Sequence, residues 1–172
     1  MDIDITTILW NQFGAAIDTL DDAIRLCPEE HWTAVLWKDE EDERFGQFWF
    51  VAYHTVFWLD LYVTGSTHEG FKPPAPFVRG KLPDNPYTKE QVQGYLHECR
   101  RKCQTIIEGL TEEKANRTLT YNWVEGSFLE MMLYTMRHLM EHAAELHLVL
   151  GQNGVKGSDW IVKARQVDEL TS

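Results

Sequence analysis

Residues 131–150 read MMLYTMRHLMEHAAELHLVL, and this stretch decides the fold. Neither Gly nor Pro interrupts it, and Leu, Met, Ala and Glu dominate, so its residues prefer helix over strand. On a helix, positions four apart lie one turn above each other with side chains leaning the same way. His138 and His142 have that spacing and can grip one metal ion between them. At about 100° per residue, His147 falls on the opposite face and makes a poor third ligand. A third nitrogen or oxygen must come from another part of the chain.

Working outward, Ser127-Phe128-Leu129-Glu130 has the form of a capping box that launches this last helix, and Gly151 and Gly154 follow its end. Upstream, Phe45 to Thr64 (FGQFWFVAYHTVFWLDLYVT) is rich in β-branched and aromatic residues. It is nevertheless too long for an ordinary strand and does not alternate, so it reads as a second helix buried on most sides, capped by Gly65. His54 sits mid-helix, with Phe50 and Trp58 one turn before and after it on one stripe.

Met1 to Cys27 places Ile5, Ile8, Leu9, Phe13, Ala16, Ile17, Leu20, Ala23 and Ile24 at 3/4 spacing, the pattern of a long amphipathic helix ended by Pro28. Pro28 to Trp32 reads as a short helical turn, and KDEEDER (38–44) as a solvated connector. Thr88-Lys89-Glu90-Gln91 is another capping box. It opens a helix whose buried stripe is Val92, Leu96, Cys99, Cys103, Ile106 and Leu110. Thr111 to Arg117 reads as one more helical turn. Between Ser66 and Tyr87 lie five of the six prolines, so this connector is neither helix nor central strand and is expected to lie across the helices as an ordered strap. Trp160 and Ile161 are expected to pack the tail back on the helices.

Four long amphipathic helices in 172 residues imply an all-α, four-helix bundle with long connectors, as a single domain over 1–172. The composition, 44% hydrophobic and 25% charged, is that of an ordinary globule. A net charge of −11 argues against nucleic acid and against an anionic membrane as partners. MDIDITT lacks a basic n-region, and no uncharged apolar run is long enough to span a bilayer. Three cysteines, an odd number, do not suggest a disulfide framework and fit a reduced cytoplasm.

If the second and fourth long helices are neighbours, His54, His138 and His142 converge in the core. Three protein nitrogens leave coordination positions open, as in catalytic metal sites. Each histidine can equally be a satisfied core residue. Glu145 shares their face and can be a fourth ligand, an acceptor for an imidazole N–H, or a base. Tyr134, one turn before His138, can hydrogen-bond a ligand. Trp58 can be both core and substrate platform. His138 to His142 also matches the H-x-x-E-H pattern in which Glu141 would be a general base. Beyond the helix, however, only Asp159, Asp168 and Glu169 remain as distant carboxylates. Cys99 and Cys103 are also four apart but lie on an apolar stripe, where small buried Cys is common. His31, His68 and His97 lie in or near polar segments and read as surface.

These features together resemble the DinB-like (YfiT-like) superfamily: VAYHTVFWLDLYVTG, the Pro-rich strap, EMMLYTMRHLMEHAAELHLVLGQ and a closing Trp. The resemblance covers essentially the whole chain. It implies a bundle running up-down-down-up, a divalent ion (zinc or nickel) held by His54, His138 and His142, and a homodimer. Relatives of that kind include thiol-dependent S-transferases using bacillithiol, mycothiol or glutathione. The implied activity is therefore S-transfer with a low-molecular-weight thiol, or hydrolysis, on a small-molecule substrate. The alternative is a non-catalytic metal-binding protein with a stress-response or interaction role.

Overall fold

The computed structural model describes residues 4–166. The first three residues of the predicted first helix, and Asp168 and Glu169, lie outside the described residues. The chain is mostly helical. Helix α1 spans Ile5–Leu26, α2 Phe48–Thr64, α3 Lys89–Glu108, α4 Glu112–Asn116 and α5 Phe128–Gln152. Single 3₁₀ turns occur at Glu29–His31 and Glu43–Gly46, and a two-stranded hairpin precedes α5.

Helix ends follow their local chemistry. The Asp4 side chain accepts from Thr7 N at 3.0 Å and caps α1. Thr88 with Gln91, and Ser127 with Glu130, form complete capping boxes at α3 and α5. Gly65 ends α2 in the left-handed region with φ 63°, a conformation that a residue with Cβ adopts only at a cost. Helix α2 starts three residues later than its composition indicates. Val35 and Gln47 pair as an isolated antiparallel bridge, and Gln47, the residue before α2, is extended.

The four long helices pack in four pairs: α1 with α3 and α5, and α2 with α3 and α5. Side-chain contacts give the directions. Along α1 and α3, Asp18 meets Arg100, Asp21 meets His97, and the Cys27 carbonyl accepts from Lys89, so the two run antiparallel. Along α2 and α5, His54 meets His138 and His142 while Tyr62 meets Tyr134, again antiparallel. Trp49 contacts Tyr87 just before α3, and Asp60 bonds Tyr95 and Lys102, so α2 and α3 run the same way. A shared buried cluster includes Phe13, Ile17, Trp49, Leu59, Leu96, Met132 and Leu146. Dispersion and burial across these faces, at about 25 cal/mol per Å² of apolar area, stabilise the arrangement.

Three details differ from the sequence reading. On α3 the lower stripe is carried by Ile107, which is buried, while Ile106 and Leu110 are half-buried. Thr118–Tyr121 and Val124–Ser127 form an antiparallel hairpin closed by Asn122 and Trp123. Its signal was the alternation Thr118-Leu119-Thr120-Tyr121, with Leu119 and Tyr121 buried, but the strands are short and the turn lacks glycine. The tail does return to the helices, through Ala164 and Arg165 rather than Trp160. Ala164 N donates to the Asn11 carbonyl, and Arg165 bonds Asp18 and Asp22, whereas Trp160 is 82% exposed. Gly14 permits this approach, since a Cβ there would lie 2.4 Å from that of Ala164.

The strap from Ser66 to Tyr87 has no regular structure but is anchored. Phe71, Phe77 and Tyr87 are buried. Val78 is held at both backbone polar groups, its carbonyl accepting from the Tyr53 hydroxyl at 2.7 Å and its N–H donating to the Tyr87 hydroxyl at 3.0 Å.

Candidate metal centre

Helix α2 is apolar on nearly all sides and is packed between α3 and α5, so a polar side chain in its middle has only other side chains for company. His54 is that side chain. The i,i+4 pair on α5 points at it. Ring centroids are 5.3 Å apart for His54 and His138, 5.2 Å for His54 and His142, and 4.6 Å for His138 and His142. One nitrogen from each ring lies within 4.8 Å of the others. The Nε2 atoms of His54 and His138 are 3.3 Å apart. Two imidazole nitrogens bound to one tetrahedral zinc at about 2.0–2.1 Å would lie roughly 3.3–3.4 Å apart, so this spacing needs little adjustment to admit an ion.

The electrostatics favour neutral rings. Burial pushes His54 down to about 3, with the facing His138 and His142 adding to it. Burial and His142 push His138 down to about 4. At neutral pH these two rings therefore offer lone pairs, the form a metal ion needs. The third ring is oriented from outside: His142 donates from Nδ1 to the Glu145 carboxylate at 2.6 Å, leaving Nε2 for the centre. A carboxylate behind an imidazole fixes its tautomer and raises its basicity, as in metal-ligating histidines. His138 has no such support; its Nδ1 is buried with no hydrogen-bond partner among the described residues. Three imidazoles, one of them backed by a carboxylate, form a donor set that fits zinc or nickel.

The structure sorts the remaining candidates. Glu145 is joined to the triad through His142. Glu141 is exposed on the outer side of α5. Tyr134 packs its edge on Tyr62 and lines a separate depression with Val124 and Glu130. Trp58 stands beside His54, its ring 6.1 Å away and edge-on. Cys27, Cys99 and Cys103 are all buried thiols. Burial pushes Cys27 up to about 12 and the other two higher still, so none supplies a thiolate at neutral pH. His147 donates to the Thr19 carbonyl at 3.1 Å, on the far face as its phase requires.

A cavity of about 400 Å³ opens beside the centre, between α2 and the strap. Of the triad, His54 alone lines it. Phe50, Phe57 and Trp58 supply apolar walls, and His68, Arg79 and Lys81 come from the strap side. His68 is the residue that sequence reasoning missed. It stacks on Trp58 with centroids 5.5 Å apart and planes 7° from parallel. Its neighbours Thr67 and Glu69 are polar and gave no hint; only the anchored strap brings it over α2.

Trp123, on the hairpin turn, sets its edge against both Trp58 and His68 and donates to the Tyr62 hydroxyl at 3.1 Å. The hairpin thus buttresses the aromatic wall. No helix among the described residues is long and apolar enough to cross a membrane.

No curated protein and no solved structure matches this chain. A family comparison does: the sequence pattern of the DinB superfamily matches residues 12–146, a span that contains all three histidines, the strap and the hairpin. With most of its length matched in this way, the chain belongs to the DinB superfamily.

Proposed function

We propose that His54, His138 and His142 hold one divalent ion and that the protein is a metal-dependent enzyme acting on a small molecule. The observation that carries this reading is the convergence of three imidazoles within 4.8 Å of one another, with His54 at the wall of a cavity. A bound zinc or nickel would act as a Lewis acid and lower the pKa of a thiol or water brought to it. The chain's own residues do the rest. Glu145 orients His142, burial keeps His54 and His138 unprotonated, and Phe50, Phe57 and Trp58 give the adjoining cavity apolar walls.

Of the two chemistries implied by the resemblance, the cavity favours thiol S-transfer over hydrolysis. No Asp or Glu lines it, so a general base is not at hand there. A thiol of pKa about 8.5 needs only a small depression to ionise at neutral pH, whereas water starts near 15.7. The thiol loses its proton to solvent. The thiolate sulfur then bonds to an electrophilic carbon as the leaving group departs with its electron pair.

The helix directions described above support the up-down-down-up bundle as the scaffold. A homodimer and a cytoplasmic location belong to the same reading. The buried, unpaired cysteines support the latter, and sedimentation of the purified chain tests the former.

The decisive experiment is elemental analysis of protein purified without a nickel column, followed by assay with bacillithiol or glutathione and a chloroaromatic acceptor. About one ion per chain, lost in His138→Ala together with turnover, is the expected outcome. Protein that takes up no zinc or nickel, or a His138→Ala variant of unchanged rate, overturns the reading.

A further inference from the structure

The cavity beside His54 has a local charge opposite to that of the molecule. The chain carries 27 acidic and 16 basic residues, yet the residues around this cavity include Arg79 and Lys81 and no carboxylate. Among the described residues neither cation is ion-paired, although Arg25, Arg44, Arg100, Arg165, Lys89 and Lys102 all are. An acidic protein that keeps one pocket free of acid has a site where an anion is favoured over its surroundings.

Arg79 is also held in place. The backbone just before it is fixed by the Tyr53 and Tyr87 hydroxyls on Val78. Its guanidinium donates to the Glu69 carbonyl at 2.8 Å and to His68 Nδ1 at 3.0 Å. Arg can only donate, so His68 Nδ1 accepts and its proton sits on Nε2. That ring is clamped in turn by its stack on Trp58. Two of five N–H donors are used, which leaves three on a guanidinium already held in place, and a guanidinium suits a carboxylate. Lining the same cavity stand Phe50, Phe57 and Trp58, enough apolar surface for an aromatic or alkyl body. The volume, about 400 Å³, is within the roughly 300–1,000 Å³ typical of small-molecule sites.

We infer that this cavity binds an organic carboxylate with an apolar body, its anionic group on Arg79 and its body against Phe50, Phe57 and Trp58. Arg79 is the residue that selects charge, and His68 positions it. The inference names the substrate class for the reaction proposed above and rests on that reading only in calling the ligand a substrate; the binding itself needs no metal ion.

The test is calorimetric titration of the full chain with three probes of one shape: 4-phenylbutyrate, its neutral amide and 4-phenylbutylamine. Protein stripped with a chelator is compared with zinc-loaded protein. The acid should bind the stripped protein at least about tenfold more tightly than the amide, with the amine weakest. Arg79→Met should cancel the preference while leaving amide binding, which itself reports an intact cavity. Equal binding of acid and amide to the wild type overturns the inference, and needs no variant. So does acid binding that appears only after zinc loading, because the ion would then be the anion's partner. Conversely, if the chain takes up no metal yet prefers the acid, the enzyme reading fails and the carboxylate site stands.

Discussion

Two of the polar clusters buried among the described residues lie between pairs of antiparallel helices. Between α1 and α3, Asp18 is fully buried and takes Arg100 at 2.7 Å and the Arg165 N–H at 2.7 Å, while Asp22 takes Arg25 and Arg165. Burial pushes the Asp22 carboxyl up, but the hydrogen bonds from Arg165 and Arg25 outweigh it and hold it below its usual value. Between α2 and α5, three rings face one another, with Glu145 backing only His142, a single 3.3 Å contact joining His54 Nε2 to His138 Nε2, and His138 Nδ1 buried without a partner among the described residues. The first cluster satisfies itself and ties down the tail. The second brings three ligand atoms within 4.8 Å of one another, a group that could hold a metal ion. Buried charge that is fully paired signals structure, whereas buried polar atoms that converge and stay unsatisfied signal a site for a ligand.

The sharpest way to break this contrast is to remove one member from each cluster. Arg100→Ala leaves Asp18 buried with one hydrogen bond and without its ion-pair partner, and should cost about 3–5 kcal/mol in urea unfolding. His54→Leu replaces a neutral ring in an apolar helix and should change the stability of metal-free protein by less than about 1.5 kcal/mol in either direction. Comparable losses from both would mean that the triad is a structural network like the other. The next effect in size belongs to the metal. Zinc at a hundredfold excess over its dissociation constant should stabilise the wild type by about 2.7 kcal/mol and leave His54→Leu unmoved, as read by thermal unfolding.

The sequence shows the two clusters very unequally. His138 and His142 announce themselves by helical phase, and His54 by its place in an otherwise apolar helix, so the triad could be named before any coordinates. Glu145 follows from the same phase. The cluster between α1 and α3 could not be read, because Asp18, Asp21 and Asp22 look like the solvated face of an amphipathic helix until Arg100 and Arg165 arrive from 65 residues apart to cover them. His68 and Arg79 were hidden for a related reason. A proline-rich connector has no period, so nothing local states which of its side chains turns inward. The hairpin was lost because pairing two four-residue strands is decided across the turn and by burial of Leu119 and Tyr121, not by propensity.

Acid should separate the clusters further. His54 and His138 have values depressed to about 3 and about 4, below the 6.5 of an unfolded histidine. Between pH 6.5 and 4 the unfolded chain therefore binds protons that the folded one refuses. The metal-free protein should lose stability on acidification by up to about 1.4 kcal/mol per pH unit for each ring. In His54→Leu one of these two contributions disappears, and denaturant midpoints across that range would fall less steeply.

The smallest effect has the opposite sign, and it comes from the other cluster. His97 on α3 lies 3.0 Å from Asp21 on α1, and that hydrogen bond raises its value above 6.5 against burial and the nearby Arg101 and Arg100. A raised value means that the folded state holds its proton more tightly. The contribution is complete below pH 6.5 and is lost as pH rises through the folded value. With the His97 side chain 38% exposed, solvent screens the pair, and its worth is below about 1 kcal/mol. Histidine resonances followed by NMR should show His97 titrating later than free imidazole as pH rises, while His54 and His138 stay neutral down to about pH 4. His97→Gln should then lower stability at pH 5.5 and leave it unchanged at pH 9. If instead His54, His138 and His97 titrate together near 6.5, the triad is hydrated rather than enclosed, and the distinction between a paired cluster and a waiting one disappears.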